Sequence, residues 1–202
     1  MFEKIDFFFF GWIINCAYPE YYRPKYGYQR YYILFFHYLI PQKLLRLNPK
    51  VKWPVHFTSK VLAPENITKG ILCDPGDNIN NYIQANNGII FGSNIELGPG
   101  VSIISSNHKA NNLREHTKGK PITIGNNVWI GANSTVLPKV SIGDNVIIGA
   151  NSLVNKDIPS NSVAVGNPCK IIKQKEPYTE DLSAIIFNKQ LPKKFTEFLN
   201  LK

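Results

Sequence analysis

The sequence is poor in cysteine and contains no long run of apolar residues. Its three cysteines, Cys16, Cys73 and Cys169, are an odd number without the spacing of a metal site. This pattern argues against a disulfide framework and indicates reduced thiols in a cytosolic protein. The longest apolar runs, Phe7–Ile14 and Tyr31–Ile40, are well short of the roughly 20 residues needed to span a bilayer.

Acidic residues are also scarce: 14 Asp and Glu stand against 23 Lys and Arg, which gives a formal charge of +9. This excess suggests an anionic partner, such as a nucleotide-bearing cofactor, an anionic lipid surface or nucleic acid. The basic-aromatic signature of a nucleic-acid interface is missing, so we expect no nucleic-acid partner. The chain of 202 residues, 44% of them apolar, is long enough for one globular domain with a core.

The opening segment "MFEKIDFFFFGWIINCAY" superficially resembles a signal peptide. Glu3 and Asp6 interrupt the basic leader that such a peptide needs, and the small-residue cleavage site is poor. We therefore expect an uncleaved start and a cytoplasmic protein, with the inner face of the membrane as an open alternative location.

The central part of the sequence repeats with a period of six residues. Each hexad has one lead apolar position, and a second apolar or small residue follows four places later. A period of six fits neither an amphipathic helix nor a half-buried strand, but it fits short strands separated by turns. The lead positions are Ile79, Ala85, Phe91, Leu97 and Ile103, and then Ile124, Ile130, Val136, Ile142, Ile148 and Val154.

Three such hexads close one triangular coil, and stacked coils bury each ring of aliphatic side chains against the next. This predicts a mainly β protein built as a parallel β-helix over residues 55–173. Glycines that follow the lead residues, and the many asparagines, would serve the turns because they tolerate positive φ. Toward the start of this region Glu65 and Asp77 fall on inward positions, so we expect the early coils to be irregular.

The rhythm breaks once, because Ile103 and Ile124 are 21 residues apart and 21 is not a multiple of six. The chain must leave the coil near Asn107 and return near Pro121, which predicts an extruded loop over 107–121. The loop contains His108 at its base and His116 near its middle. A decorative surface insertion is the alternative interpretation.

The stretch "KPITIGNNVWIGANSTVLPKVSIGDNVIIGANSLVNKDIPSNSVAVGNPCKIIK" resembles the left-handed β-helix, hexapeptide-repeat acyltransferases. Within that group it looks closest to the sugar and polysaccharide O-acetyltransferases, including the maltose and galactoside acetyltransferases. The resemblance alone gives the left hand of the helix. It also implies acetyl-CoA as co-substrate, no metal, and a homotrimer whose active sites lie between the β-helices of neighbouring subunits.

The resemblance places the catalytic histidine of the family on His108, within "SSNHKANN". Imidazole has a suitable pKa to remove a proton from an acceptor hydroxyl as that hydroxyl attacks a thioester. The segment "GDNINNYIQ" resembles the one that carries an active-site asparagine, which by frame falls on Asn78. Asn78 would bind the acceptor or a developing oxyanion, unless it is only a turn asparagine. His116 is a weaker candidate for an acceptor contact.

The resemblance also assigns a binding surface for acetyl-CoA. Trp129 would line the acetyl pocket. The pantetheine arm would lie along Ala132, Ala150, Asn155 and Lys156, and the phosphates would be held by Lys170 and Lys173 in "GNPCKIIK". The lysines could instead be a solvated charge run, and Trp129 could pack between subunits. The assigned residues are Trp129, Ala132, Ala150, Asn155, Lys156, Lys170 and Lys173.

The two ends differ from the repeat. Residues 1–54 are rich in Phe and Tyr, and helical pieces are expected in 31–47 with a break at Pro41. This region would cap the open end of the β-helix or, alternatively, rest on a membrane or a lipid-linked glycan. Residues 174–202 predict one short helix, capped by Thr179.

Together these features predict an acetyl-CoA-dependent O-acetyltransferase that acts on a sugar or a bacterial surface polysaccharide, without a covalent acyl-enzyme. An N-acetyltransferase of an amino sugar would share every feature. A γ-type zinc hydratase would need three converging histidines. A non-catalytic β-helix scaffold would not need a histidine in an extruded loop.

Overall fold

The computed structural model describes residues 6–18 and 31–179, and the chain divides into two compact units. One unit is Met1–Phe57 with Thr179–Lys202, and the other is Thr58–Tyr178. The helix predicted in the C-terminal tail lies outside the described residues. Among the described residues, no helix is both long enough and apolar enough to cross a membrane.

The described part of the first unit is a pair of helices. The first begins as a π-helix, Phe7–Gly11, and continues as α1, Trp12–Ala17; the second begins as α2, Tyr31–Leu34, and continues as a π-helix, Phe35–Leu44. Burial of their apolar faces holds the pair together, because each helix is too short to be stable alone. The shared core consists of Ile14, Tyr18, Leu34 and Tyr38.

The helix break predicted at Pro41 is wrong. Pro41 lies inside the second helix, which ends only at Leu44. The hydrogen bonds here span five or more residues, as from the Leu45 N–H to the Ile40 carbonyl. This wider turn does not direct the proline ring against the carbonyl four residues back, which is the clash that interrupts an α-helix.

The second unit is a three-faced prism of short parallel strands, as the six-residue period predicts. The chain passes from face A to face B to face C and then back to face A one coil further along. Face A contains β1 (Lys60–Leu62), β3 (Tyr82–Gln84), β6 (Ser102–Ile104), β11 (Thr135–Val136) and β14 (Leu153–Val154). Face B contains β2 (Ile67–Thr68), β4 (Ile89–Phe91), β9 (Ile122–Ile124) and β12 (Ser141–Ile142).

Face C contains β5 (Ile95–Leu97), β10 (Val128–Ile130), β13 (Ile147–Ile148), β15 (Ser162–Val165) and β16 (Lys170–Gln174). The last strand, β16, pairs antiparallel with β15 and so covers the final coil, whereas the other pairs within the three faces are parallel. Two further strands, β7 (His108–Lys109) and β8 (Asn112–His116), form an antiparallel hairpin outside the prism.

The lead positions of the hexads form the core, with one exception. Ile103, Ile130 and Ile148 are fully buried, and the other lead positions after the break are at most 2% exposed. Ile79 is 44% exposed, so its predicted inward position is wrong. It lies between Cys73 and β3 in the irregular early part, where Ala63 and Leu72 adopt positive φ and the coil is not yet uniform.

The glycines after the lead residues have a different role from the one predicted. Positive φ at the turns belongs mainly to asparagines, such as Asn127 and Asn145 at +57°. Gly131 has no such φ, but a Cβ there would lie 2.6 Å from the backbone nitrogen of Ala150 in the next coil. These glycines are therefore required because the backbones of successive coils approach closely.

Candidate functional site

The break in the hexad rhythm is the β7–β8 hairpin. Strand β6 ends at Ile104 on face A, and β9 begins at Ile122 on face B, so the hairpin leaves the prism at the corner between these faces. We call the turns that follow the strands of face A the A–B corner. The predicted exit and return of the loop are thus confirmed, and the loop itself has regular structure that its sequence did not predict.

The hairpin brings its two histidines together. His108 on β7 pairs directly with His116 on β8, and the centroids of the two rings are 4.5 Å apart with 34° between their planes. Both residues are exposed. An imidazole pair held at the base of a hydrogen-bonded hairpin and open to solvent can exchange a proton with a bound substrate.

Gln84 fixes the segment between β6 and His108. Its Oε1 accepts hydrogen bonds from the Ser106 N–H at 3.0 Å and the Ser106 hydroxyl at 3.4 Å, and its Nε2 donates to the Ser106 carbonyl at 3.2 Å. Both side chains are buried. Ser106 precedes His108 by two residues, so this clamp restricts where the imidazole can lie.

Asn87 closes the neck of the hairpin on the other side. Its Nδ2 donates to the carbonyl of Ser105, where the loop leaves, and to the carbonyl of Thr117, where it returns. Thr117 in turn donates its N–H and its hydroxyl to the Asn107 carbonyl. One amide therefore joins both ends of the loop to the preceding coil. Sequence reasoning missed these residues; the one available signal was a cluster of polar residues one coil before the break.

Ion pairs involve residues of the hairpin and of the segment that follows it. Lys109 forms an ion pair with Glu115, and the Asn112 Nδ2 donates to the other carboxylate oxygen at 2.7 Å. At the return, Lys120 Nζ lies 3.8 Å from Asp157 Oδ2. Asp157 follows Asn155 and Lys156 in the turn after β14, so these two predicted cofactor residues lie at the same A–B corner as His108, and both are exposed.

Asn78 is not brought next to His108 within one chain. It lies in the turn that leads into face A, at what we call the C–A corner, the turns that follow the strands of face C. Its Nδ2 donates to the Leu97 carbonyl at 3.1 Å, and its Oδ1 accepts from the Ile79 N–H at 2.9 Å. The amide therefore links two coils, and its catalytic role stays a prediction.

The remaining predicted cofactor residues lie on face C and at the C–A corner. Trp129 on β10 points outward and is 54% exposed, beside Glu96 in one neighbouring strand and Ile147 in the other. The same outward row continues through Val163 to Lys173 on β16. With strands about 4.8 Å apart, Trp129 and Lys173 are separated by three strand spacings, about 14 Å along the prism.

Ala132 and Ala150 occupy equivalent places in successive coils at the C–A corner. The Asn151 N–H donates to the Ala132 carbonyl at 2.8 Å, and the close approach at Gly131 keeps this edge free of bulky side chains. Lys170 pairs with Val165 on β15, and both Lys170 and Lys173 are exposed. An edge of small residues that ends at two lysines fits a thin amide-bearing arm with phosphates at its far end.

Nucleophiles suitable for a covalent intermediate are absent near the neck among the described residues. Burial raises the pKa of the Cys73 and Cys169 thiols, which disfavours the reactive thiolate. The hydroxyls of Ser105 and Ser106 are buried and engaged with Asn87 and Gln84. Residues 6–18 and 31–179 also contain no cluster of three His, Cys, Asp or Glu side chains that could hold a metal ion.

Comparison with known proteins gives the same family that the repeats suggest. The family model described as bacterial transferase hexapeptide (six repeats) matches residues 121–156. A galactoside O-acetyltransferase from Escherichia coli is 43% identical over 89 residues, which are 43% of this chain and 44% of the relative. The chain spans only about half the length of the curated relatives that it matches.

Solved structures extend the likeness over a longer part of the chain. A galactoside acetyltransferase in complex with coenzyme A is 34% identical, with a TM-score of 0.50, over 61% of this chain and 68% of the other. A serine acetyltransferase from Neisseria gonorrhoeae, 19% identical with a TM-score of 0.53, covers 88% of this chain and 70% of its own and shares the fold alone. The prism is therefore a left-handed parallel β-helix, and the chain belongs to the hexapeptide-repeat acyltransferase family.

Proposed function

We propose that this chain is an acetyl-CoA-dependent O-acetyltransferase that acts on a hydroxyl of a sugar or of a bacterial surface polysaccharide. The observation that carries the proposal is the exposed His108, fixed at the neck of the hairpin by the buried Gln84–Ser106 clamp. The galactoside acetyltransferase relatives, one of them in complex with coenzyme A, support the acyl donor and the class of acceptor.

His108 acts as the general base. It removes the proton from the acceptor hydroxyl while the oxygen attacks, and it returns that proton to the departing thiol. When bound, acetyl-CoA supplies the thioester carbonyl, so the new ester bond forms as the carbon–sulfur bond breaks. Direct transfer is supported by the raised pKa of the buried thiols Cys73 and Cys169 and by the engaged hydroxyls of Ser105 and Ser106.

The donor would lie along the C–A corner. Ala132 and Ala150 leave the backbone groups of this edge accessible, and Lys170 and Lys173 would hold the phosphates as point charges. Trp129 would cover the acyl end from face C, where its ring is exposed.

The functional form would be a homotrimer. His108, Asn155 and Lys156 lie at the A–B corner, whereas the other binding residues lie on face C and at the C–A corner. The width of face A separates the two sets, so one chain alone does not line a single groove with both. Cyclic closure of three prisms would place the A–B corner of one copy beside the C–A corner of the next.

Thiol release from acetyl-CoA, measured with a panel of hydroxy and amino acceptors, tests the reaction. We expect turnover with glycosides, oligosaccharides or nucleotide sugars that offer a free hydroxyl. Preference for an amino sugar would instead establish the N-acetyltransferase, and no turnover with any acceptor, together with no heat on titration with acetyl-CoA, would reject both.

A complementation experiment tests the shared site. His108→Ala and the double variant Lys170→Ala/Lys173→Ala would be co-expressed, so that mixed trimers form. If each site takes residues from two copies, mixed trimers regain part of the activity that both parents lack. Monomeric protein in sedimentation analysis, or no recovery in mixed trimers, contradicts the arrangement.

A further inference from the structure

Aromatic side chains on the first helix of the helical unit point away from its core. Phe8 is 72% exposed and Trp12 is 61% exposed, and the four-residue spacing puts them on one side of the helix. Ile14 and Tyr18, on the other side, are fully buried. Exposed aromatic rings in a row are costly in water, and such a patch indicates a contact surface.

The second helix adds to this apolar surface. Its exposed Phe36 ring lies 6.0 Å from the ring of Phe10 on the first helix, so the two helices contribute to it together. At the end of the second helix and just beyond it, exposed leucines are interspersed with cations in the segment "KLLRLNPK". The exposed leucines are Leu44, Leu45 and Leu47.

In the described part of this unit, the accessible charges have one sign. Asp6 is the sole acidic residue among residues 6–18 and 31–57, and its buried carboxylate accepts hydrogen bonds from the Tyr31 and Tyr32 N–H groups. No anion of this described part is therefore available to a partner. The exposed ionised side chains are Lys43, Arg46, Lys50 and Lys52, all cationic.

We propose that this surface, Phe8, Phe9, Trp12, Phe36 and the segment Lys43–Lys52, binds peripherally to an anionic lipid bilayer. Aromatic rings and leucines enter the boundary between headgroups and acyl chains, and lysine and arginine side chains extend to the lipid phosphates. A second copy of this surface is a poorer partner, because its exposed cations would face cations. The proposal does not depend on the acetyltransferase activity.

Vesicle sedimentation with the full chain tests the proposal. One set of vesicles contains phosphatidylcholine only, and the other contains about one third phosphatidylglycerol. Because each cation near an anionic surface strengthens binding about fivefold, we expect at least about tenfold tighter binding to the anionic vesicles. Added salt should weaken it, since screening shortens the range of the attraction.

Two variants and one matched control locate the surface. Lys43→Gln/Arg46→Gln should weaken binding to anionic vesicles about 25-fold, at about fivefold per cation. Phe8→Ser/Trp12→Ser should weaken it at least about tenfold, because the buried apolar area is lost. Lys60→Gln/Lys139→Gln removes two exposed cations of the β-helix unit and should change little. All sites are exposed, so circular dichroism should show unchanged folding.

Trp12 provides a readout that requires no loss of binding. Its fluorescence should shift to the blue on vesicles and be quenched by brominated lipid, and Trp12→Phe should remove that response. Equal binding to neutral and anionic vesicles, or equal loss in the Lys60/Lys139 control, would overturn the proposal. The proposal would also be overturned if the unsubstituted chain self-associates, Phe8→Ser/Trp12→Ser abolishes that self-association, and vesicles bind neither the unsubstituted chain nor the variant.

Discussion

The stacked coils and the hairpin that they extrude differ in almost every physical respect. In the coils, Ile103, Ile130 and Ile148 are fully buried, and each is paired in register with a buried residue in the coil before it and in the coil after it. In the hairpin, every residue of β8 is exposed, and its regular structure rests on backbone pairing and charge. The coils thus supply stability, and the hairpin supplies an accessible imidazole.

The two regions meet at a small polar cluster that is buried or partly buried. Gln84 and Asn87 lie in the coil before the break and hydrogen bond to both ends of the hairpin. A rigid scaffold can hold a loop residue in place only through such contacts. The difference between the regions therefore predicts which substitutions affect catalysis, which affect stability, and which affect both.

The largest effect should come from the hairpin and should concern activity alone. We expect His108→Ala to lower kcat by roughly 10²-fold or more, because the proposed general base is lost, while affinity for acetyl-CoA stays similar. His116→Ala is the matched control, since it removes the paired ring from the same hairpin and should reduce kcat much less. Steady-state kinetics and titration calorimetry measure both, and near-normal turnover of His108→Ala would remove the assignment.

A large effect on stability should come from the coils. Ile130→Ala leaves a cavity in the fully buried stack and should lower the free energy of unfolding by about 2–5 kcal/mol. Ile90→Ala removes the same atoms from an outward position that is 45% exposed, and should cost well under half as much. Chemical denaturation compares the two, and equal losses would contradict the inward assignment of the lead positions.

Substitution at the neck should affect both properties moderately. Asn87→Ala leaves the Ser105 and Thr117 carbonyls without this donor, which should cost about 1–3 kcal/mol and, by displacing His108, about tenfold in kcat with little change in KM for acetyl-CoA. Asn66→Ala removes one side-chain bond to the Ala85 carbonyl away from the hairpin, and should leave kcat unchanged. Equal kcat in both variants would deny Asn87 a positioning role.

The smallest effect should come from the ion pair along the hairpin. Lys109 and Glu115 are both about half exposed, so Lys109→Ala should change the free energy of unfolding by at most about 1 kcal/mol. The effect should shrink further at high salt. Thermal melts at low and high ionic strength measure this effect. A decrease in the free energy of unfolding above about 2 kcal/mol would show that the hairpin does contribute to the stability of the stacked coils.

The regular part of the fold could be predicted from the sequence because each hexad repeats the same local interactions. A lead residue such as Ile124 is buried wherever the frame holds, and the 21-residue interval located the loop and His108 by counting alone. The frame fails at Ile79, where the early coils are irregular. The frame also could not distinguish turn residues that require positive φ from glycines such as Gly131, which are required because the backbone of the next coil lies close to them.

The sequence by itself thus determined the prism, the position of its break and the histidine at that break, because each follows from spacing along the chain. Only the tertiary structure decided which residues hold that histidine and which corner each predicted binding residue occupies. Gln84 and Ser106 are 22 residues apart, and Asn87 and Thr117 are 30 apart. Contacts of this kind arise from the stacking of one coil on another, and no local pattern in the sequence encodes them.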